Sequence, residues 1–156
     1  MGKQLNFDTG FTTYEINGED VGIRLNLTDT EFFRKLYYTF ESLDKICNDY
    51  QKRMVDIPDE EGAKRYEVLM DLDREIETRI DTAFNHPGLS EKIFKVDGVH
   101  ISPNAMAGGL PIWANFLLAV IDEYSDAVKA QANLTQPKIN QYLAKYQGKK
   151  SKKYHK

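Results

Sequence analysis

Asp73, Glu77 and Asp81 follow one another at steps of four, the spacing that lines side chains along one edge of a helix. Carboxylates repeated this way can hold a divalent cation for phosphoryl chemistry when a second acidic cluster faces them. No second cluster with matched spacing occurs in the chain, so the three are read as a solvated helix edge. Arg79 and His86 have six residues between them, a separation that a helical ribonuclease could use. His86 precedes Pro87 at a helix end, however, and so short a pattern arises readily by chance. The three histidines, His86, His100 and His155, stand far apart, with no Cys pair and no HExxH, so no zinc site is expected. Residues 56–61 are acidic but lack the ligand pattern of a calcium loop. No GxGxxG, GxxxxGK or GxSxG segment is present, and Gly108-Gly109 reads as a turn rather than an anion cradle. Cys47 lies inside a helical pattern and reads as a small buried apolar residue. No catalytic residue, no metal and no cofactor is assigned.

The elements around these residues are mainly helical. Phe11–Ile16 and residues 21–27 alternate apolar and polar side chains and flank Asn17-Gly18, which predicts an N-terminal β-hairpin. Thr28 and Glu31 have capping-box spacing and open a first helix to about Arg53. Its seam is Phe33, Leu36, Phe40, Leu43, Cys47, Tyr50 and Met54. A second helix from 59–61 to about Phe84 has the seam Tyr66, Leu69, Asp73, Ile76, Ile80 and Ala83, so the two pair antiparallel. Asn85-His86-Pro87-Gly88 stops it. A short amphipathic turn at 89–94, with Ser90 as a candidate cap, a small strand at 96–101 and a flexible stretch at 102–109 follow. Leu110-Pro111 opens a helix with a wide apolar stripe, and 138–146 forms a last short helix. The fold class is mainly α with a small N-terminal β-hairpin (α+β): a bundle of about three long helices plus short ones.

Composition fits one core. The 156 residues are 41% hydrophobic, which supplies apolar material for one domain. The net charge of -3 hides an asymmetry. Residues 148–156, GKKSKKYHK, hold five lysines and no acid, which leaves 16 basic and 24 acidic residues, a net of -8, on the rest. The expected division is a domain at 1–147 and a basic flexible tail at 148–156, with Lys149, Lys150, Lys152 and Lys153. Nucleic acid is not the expected partner of this acidic body. One cysteine permits no internal disulfide, and the start lacks a signal-peptide apolar run. The most apolar stretch, 110–121, is shorter than the roughly 20 residues a bilayer needs. A cytoplasmic, non-membrane location is expected.

Taken in order, the hairpin at 11–27, the segment RIDTAFNHPGLSEKIF at 79–94, and a final helix at 111–128 leading to a lysine-rich end carry a family likeness. The chain resembles tail assembly chaperones of tailed bacteriophages and prophages of Gram-positive bacteria. The resemblance implies a non-enzymatic protein in the cytoplasm of the bacterial host. It would coat the helical tape measure protein and help recruit tail tube protein. It also implies that a frameshift near the gene's end can yield a longer form. Such a protein needs adaptable apolar groups at its surface, and the chain has seventeen Phe and Tyr residues and four Met. Tyr37, Tyr38, Phe84, Phe94 and Trp113 are the expected partner-binding residues, and a homo-oligomer is compatible. The alternatives are a small phage-encoded inhibitor of a host defence enzyme and a helical enzyme acting on nucleotides or RNA.

Overall fold

The computed structural model describes residues 2–128 and 137–154. Strands β1 (Phe11–Ile16) and β2 (Glu19–Asn26) form an antiparallel hairpin, with Ile16 opposite Glu19 across a two-residue turn. Asn17 and Gly18 take φ of 51° and 79°, the left-handed pair that a tight hairpin turn requires. The inner face of β2 buries Ile23 and Leu25.

Helix α1 (Thr30–Val55) carries the expected seam, with Phe33, Leu36, Phe40 and Leu43 fully buried. Its cap differs from expectation by one residue. Thr28 gives its hydroxyl to the Asn26 side chain at 2.6 Å, and the Asp29 carboxylate accepts the Phe32 N–H at 3.0 Å. A 3-10 turn at Asp59–Glu61 leads into α2 (Gly62–Ala83). The buried residues of α2 are Leu72, Ile76, Ile80 and Ala83. Tyr66, expected in the seam, is 71% exposed because it lies more than a turn before that buried run.

Helix α4 (Ile112–Val128) is the central element, burying Trp113, Ala114, Leu117, Leu118, Ile121 and Tyr124. Tyr124 contacts the Phe33 ring at 5.0 Å between centroids and donates its hydroxyl to the Asn26 carbonyl at 2.5 Å, which fastens the hairpin to the bundle. Helix α5 (Pro137–Tyr154) docks Ile139 and Leu143 and binds Asp44 of α1 through Lys138 and the Tyr142 hydroxyl. It is longer than the expected short helix. No proline follows Pro137, and the backbone stays helical through 148–154, the segment expected as a flexible tail.

Between α2 and α4 the chain forms α3 (Leu89–Ile93) and two miniature hairpins, β3–β4 (Lys95–Val96, Val99–His100) and β5–β6 (Met106–Ala107, Leu110–Pro111). This segment runs back along α2, and the three spaced carboxylates hold it. Asp81 accepts the N–H of Ser90 at 2.7 Å and of Gly88 at 3.1 Å. The Ser90 hydroxyl, buried, also bonds Asp81 and the Glu77 carbonyl. Glu77 meets His100 Nε2 at 3.0 Å. Asp73 accepts the Ser102 hydroxyl at 2.7 Å and the Asn104 N–H at 3.1 Å. The edge expected to be solvated is therefore a docking rail, and residues 102–109, expected to be flexible, are pinned at one end and paired as a hairpin at the other. Ser90 is held as a bound residue rather than a helix cap.

Two measurements follow from this architecture. Charge-assisted bonds to buried donors contribute about 1.5–3 kcal/mol each. Asp81→Ala is expected to lower unfolding free energy in urea by about 2–4 kcal/mol, with the Gly88 and Ser90 amides exchanging fastest; unchanged exchange there would contradict the rail. Burial pushes the Cys47 thiol up to about 11 and the Tyr37 hydroxyl up to about 12. Both groups are thus held neutral in the fold. Their contribution to stability is whole below their unfolded values and is lost as pH rises toward the folded ones. The urea midpoint should hold up to about pH 9 and fall between pH 9 and 12; a flat profile across that window would refute the burial of these groups.

Candidate functional site

The structure sorts the five expected partner-binding residues by burial. Tyr37, Phe94 and Trp113 are 5%, 2% and 1% exposed and belong to the core. Tyr37 follows from the seam: it is four residues after Phe33 and three before Phe40, so it faces the same way. Trp113 stacks edge-on against Phe40 at 5.1 Å, and Phe94 packs on Phe116 at 6.3 Å. Tyr38, one helical step from Tyr37, is 56% exposed. Phe84 is half-buried, edge-on to Phe32 at 5.2 Å and tilted against Phe116 at 5.6 Å. The side chains of Lys149, Lys150, Lys152 and Lys153 lie outside the described residues. Arg79 donates to Ser42 of α1 at 2.6 Å and to Glu75 at 3.1 Å, a link between helices that has no need of His86. Among the described residues no group of three or more His, Cys, Asp or Glu is placed to hold a metal ion, and no helix is long and apolar enough to cross a membrane.

Phe84 and Tyr38 line two adjoining hollows, which together are called the groove. A hollow of about 620 Å³ lies between β2, the first turns of α1 and the end of α2. Its floor is Ile23, Leu25, Phe32, Ala83 and Phe84, and its rim carries Phe11, Arg24, Asp29, Glu31 and Lys35. A second hollow of about 330 Å³ shares Glu31, Lys35 and Ala83 with it. It continues between α1 and α2 past Arg34, Tyr38, Ser42 and Arg79. The groove is thus a surface where three elements diverge: the hairpin leans on α4 through Tyr124, α1 starts at Asp29, and α2 ends at Phe84.

The rim is charged and partly paired. Arg34 bonds Glu31 at 2.6 Å and holds its carboxyl below the usual carboxylate range. The same guanidinium lies 5.6 Å from the Tyr38 ring centre. Arg24 stacks on Phe11 at 4.3 Å. Rings at the floor with long cationic side chains around them suit non-covalent capture of a chain segment: apolar groups settle inward and polar groups meet the rim. Sequence reasoning missed Arg24, Arg34 and Lys35. Arg24 stands on β2 and the other two are neighbours on α1, and only the fold brings the strand and the helix together here.

Comparison of the chain with protein-family models, with curated proteins and with solved structures returns no match.

The two aromatic residues should separate on substitution. Phe84→Ala removes a ring packed on Phe32 and Phe116 and is expected to cost about 2–3 kcal/mol. Tyr38→Ser should stay within about 0.5 kcal/mol of the parent in urea unfolding. Equal losses for both would show that Tyr38 is a packing residue.

Proposed function

We propose that the chain is a non-enzymatic tail assembly chaperone of a bacteriophage or prophage. It would act in the cytoplasm of the bacterial host on the tape measure protein and help recruit tail tube protein. The observation that carries this reading is the groove that joins the half-buried Phe84 to the exposed Tyr38 across β2, α1 and α2. A long helical client with apolar stripes needs such a surface, where adaptable rings cover its apolar residues until assembly replaces them. The rim residues Arg24, Glu31, Lys35 and Tyr38 are exposed and stand outside the core, so a partner can be held and released without unfolding the chaperone. The resemblance in the order of hairpin, helices and the 79–94 segment supplies the identity of the client.

Co-expression with a tape measure protein tests this. The client should stay soluble with the parent chain and precipitate with the Tyr38→Ser, Lys35→Glu double variant, which keeps its fold. A client equally soluble without the chain, or with the double variant, contradicts the proposal.

A further inference from the structure

We propose that the groove selects acidic apolar segments: stretches of polypeptide in which Leu or Phe side chains are flanked by carboxylates. This rests on the chaperone reading for the groove's use but not for its chemistry. The groove inverts the charge of the molecule that carries it. Its lining holds four cations, Arg24, Arg34, Lys35 and Arg79, against two acids, Asp29 and Glu31. The rest of residues 1–147 holds 12 basic and 22 acidic side chains. Within residues 1–147 a cationic strip on an otherwise anionic body draws a negative segment to the strip and repels it from the rest of that body, which gives register as well as attraction.

The pairing within the strip sharpens this. Arg34 is engaged with Glu31, and Arg79 with Glu75 and Ser42. Arg24 and Lys35 have no salt bridge among the described residues. They stand on the rim of the larger hollow, around the floor of Ile23, Leu25, Phe32 and Phe84. The Arg24 guanidinium also lies over the Phe11 ring, 4.3 Å from its centre, and its N–H groups can bond a carboxylate in pairs. An incoming segment would place an apolar side chain on the floor with carboxylates reaching Arg24 and Lys35.

The alternative anionic ligand is single-stranded nucleic acid, which stacks bases on open aromatic faces and tracks its backbone with cations. The groove departs from that in two respects. Asp29 and Glu31 lie within the lining and would repel phosphates. Phe32 and Phe84 spend their faces and edges on each other and on Tyr124 and Phe116 rather than presenting open platforms. A polypeptide carries fewer charges per unit length and tolerates both signs on the rim.

Fluorescence anisotropy on the full chain tests the proposal with three labelled probes. One is a peptide of Leu and Phe interleaved with Glu, the second has Lys for every Glu, and the third is an oligothymidylate. At about 50 mM salt the acidic peptide should bind at least roughly tenfold more tightly than the lysine peptide, and the gap should close near about 0.5 M. The Arg24→Glu, Lys35→Glu variant should reverse the preference while Tm stays unchanged. Equal binding of the two peptides, preference for the lysine peptide, tighter binding of oligothymidylate, or no binding of the acidic peptide each overturns the proposal. If that variant still keeps a tape measure protein soluble, the charge rule fails and the chaperone reading survives. If the parent chain binds the acidic peptide but leaves the client insoluble, the reverse holds.

Discussion

Much of this molecule depends on one row of carboxylates. Asp73, Glu77 and Asp81 lie along α2 at a spacing that matches the return of the chain from Gly88 to Asn104. Five of the groups they hold are backbone N–H or side-chain hydroxyl donors and one is an imidazole. Without the carboxylates, the donors at Gly88, Ser90 and Asn104 would need water in a partly buried strip, at a cost of about 1–3 kcal/mol for each. The same row seats Leu89, Ile93 and Phe94 in the core, where burial of each contributes about 1.5–3 kcal/mol. Polar positioning and apolar burial therefore reinforce one another over a segment with little regular structure of its own.

The rail also shapes the opposite side of the helix end. Asp81 fastens the turn that follows Phe84, and the His86 N–H closes on the Asp81 carbonyl at 3.0 Å. Ala83 and Phe84 are thereby held where α2 stops against the start of α1. The hairpin reaches the same place by a different route, through Ile23, Leu25 and the Tyr124–Asn26 bond. The groove is the space left where these two attachments meet. Its floor is as rigid as the core beneath it, while its rim of long charged side chains can move, a combination suited to reversible holding of varied segments.

The sequence made the local structure readable and left the long-range pairing hidden. Asn17-Gly18 between alternating strands announced the hairpin, and the Phe33–Leu36–Phe40–Leu43 spacing announced the buried face of α1. That same spacing puts Tyr37 inside and Tyr38 outside, so the two neighbours cannot share one surface role. The four-residue steps of Asp73, Glu77 and Asp81 were visible, but their meaning lay with Ser90, His100, Ser102 and Asn104, up to 31 residues away. What answers the row is a set of loop donors rather than a second acidic cluster. The groove was less readable still, since Arg24, Lys35 and Ala83 have nothing in common in sequence. Tyr66 shows the converse error: helical periodicity gives the direction of a side chain but not whether another element extends far enough to cover it.

The proposed docking place for a partner lies between β2, the start of α1 and the end of α2. Amide hydrogen exchange, compared between the free chain and its complex with a soluble tape measure segment, addresses this most directly. Protection should rise at residues 23–35 and 79–85 and remain unchanged at 62–70 and 95–107. Protection confined to the surroundings of the exposed Tyr66, Met70 and Met106, with the groove unaffected, would contradict this docking place.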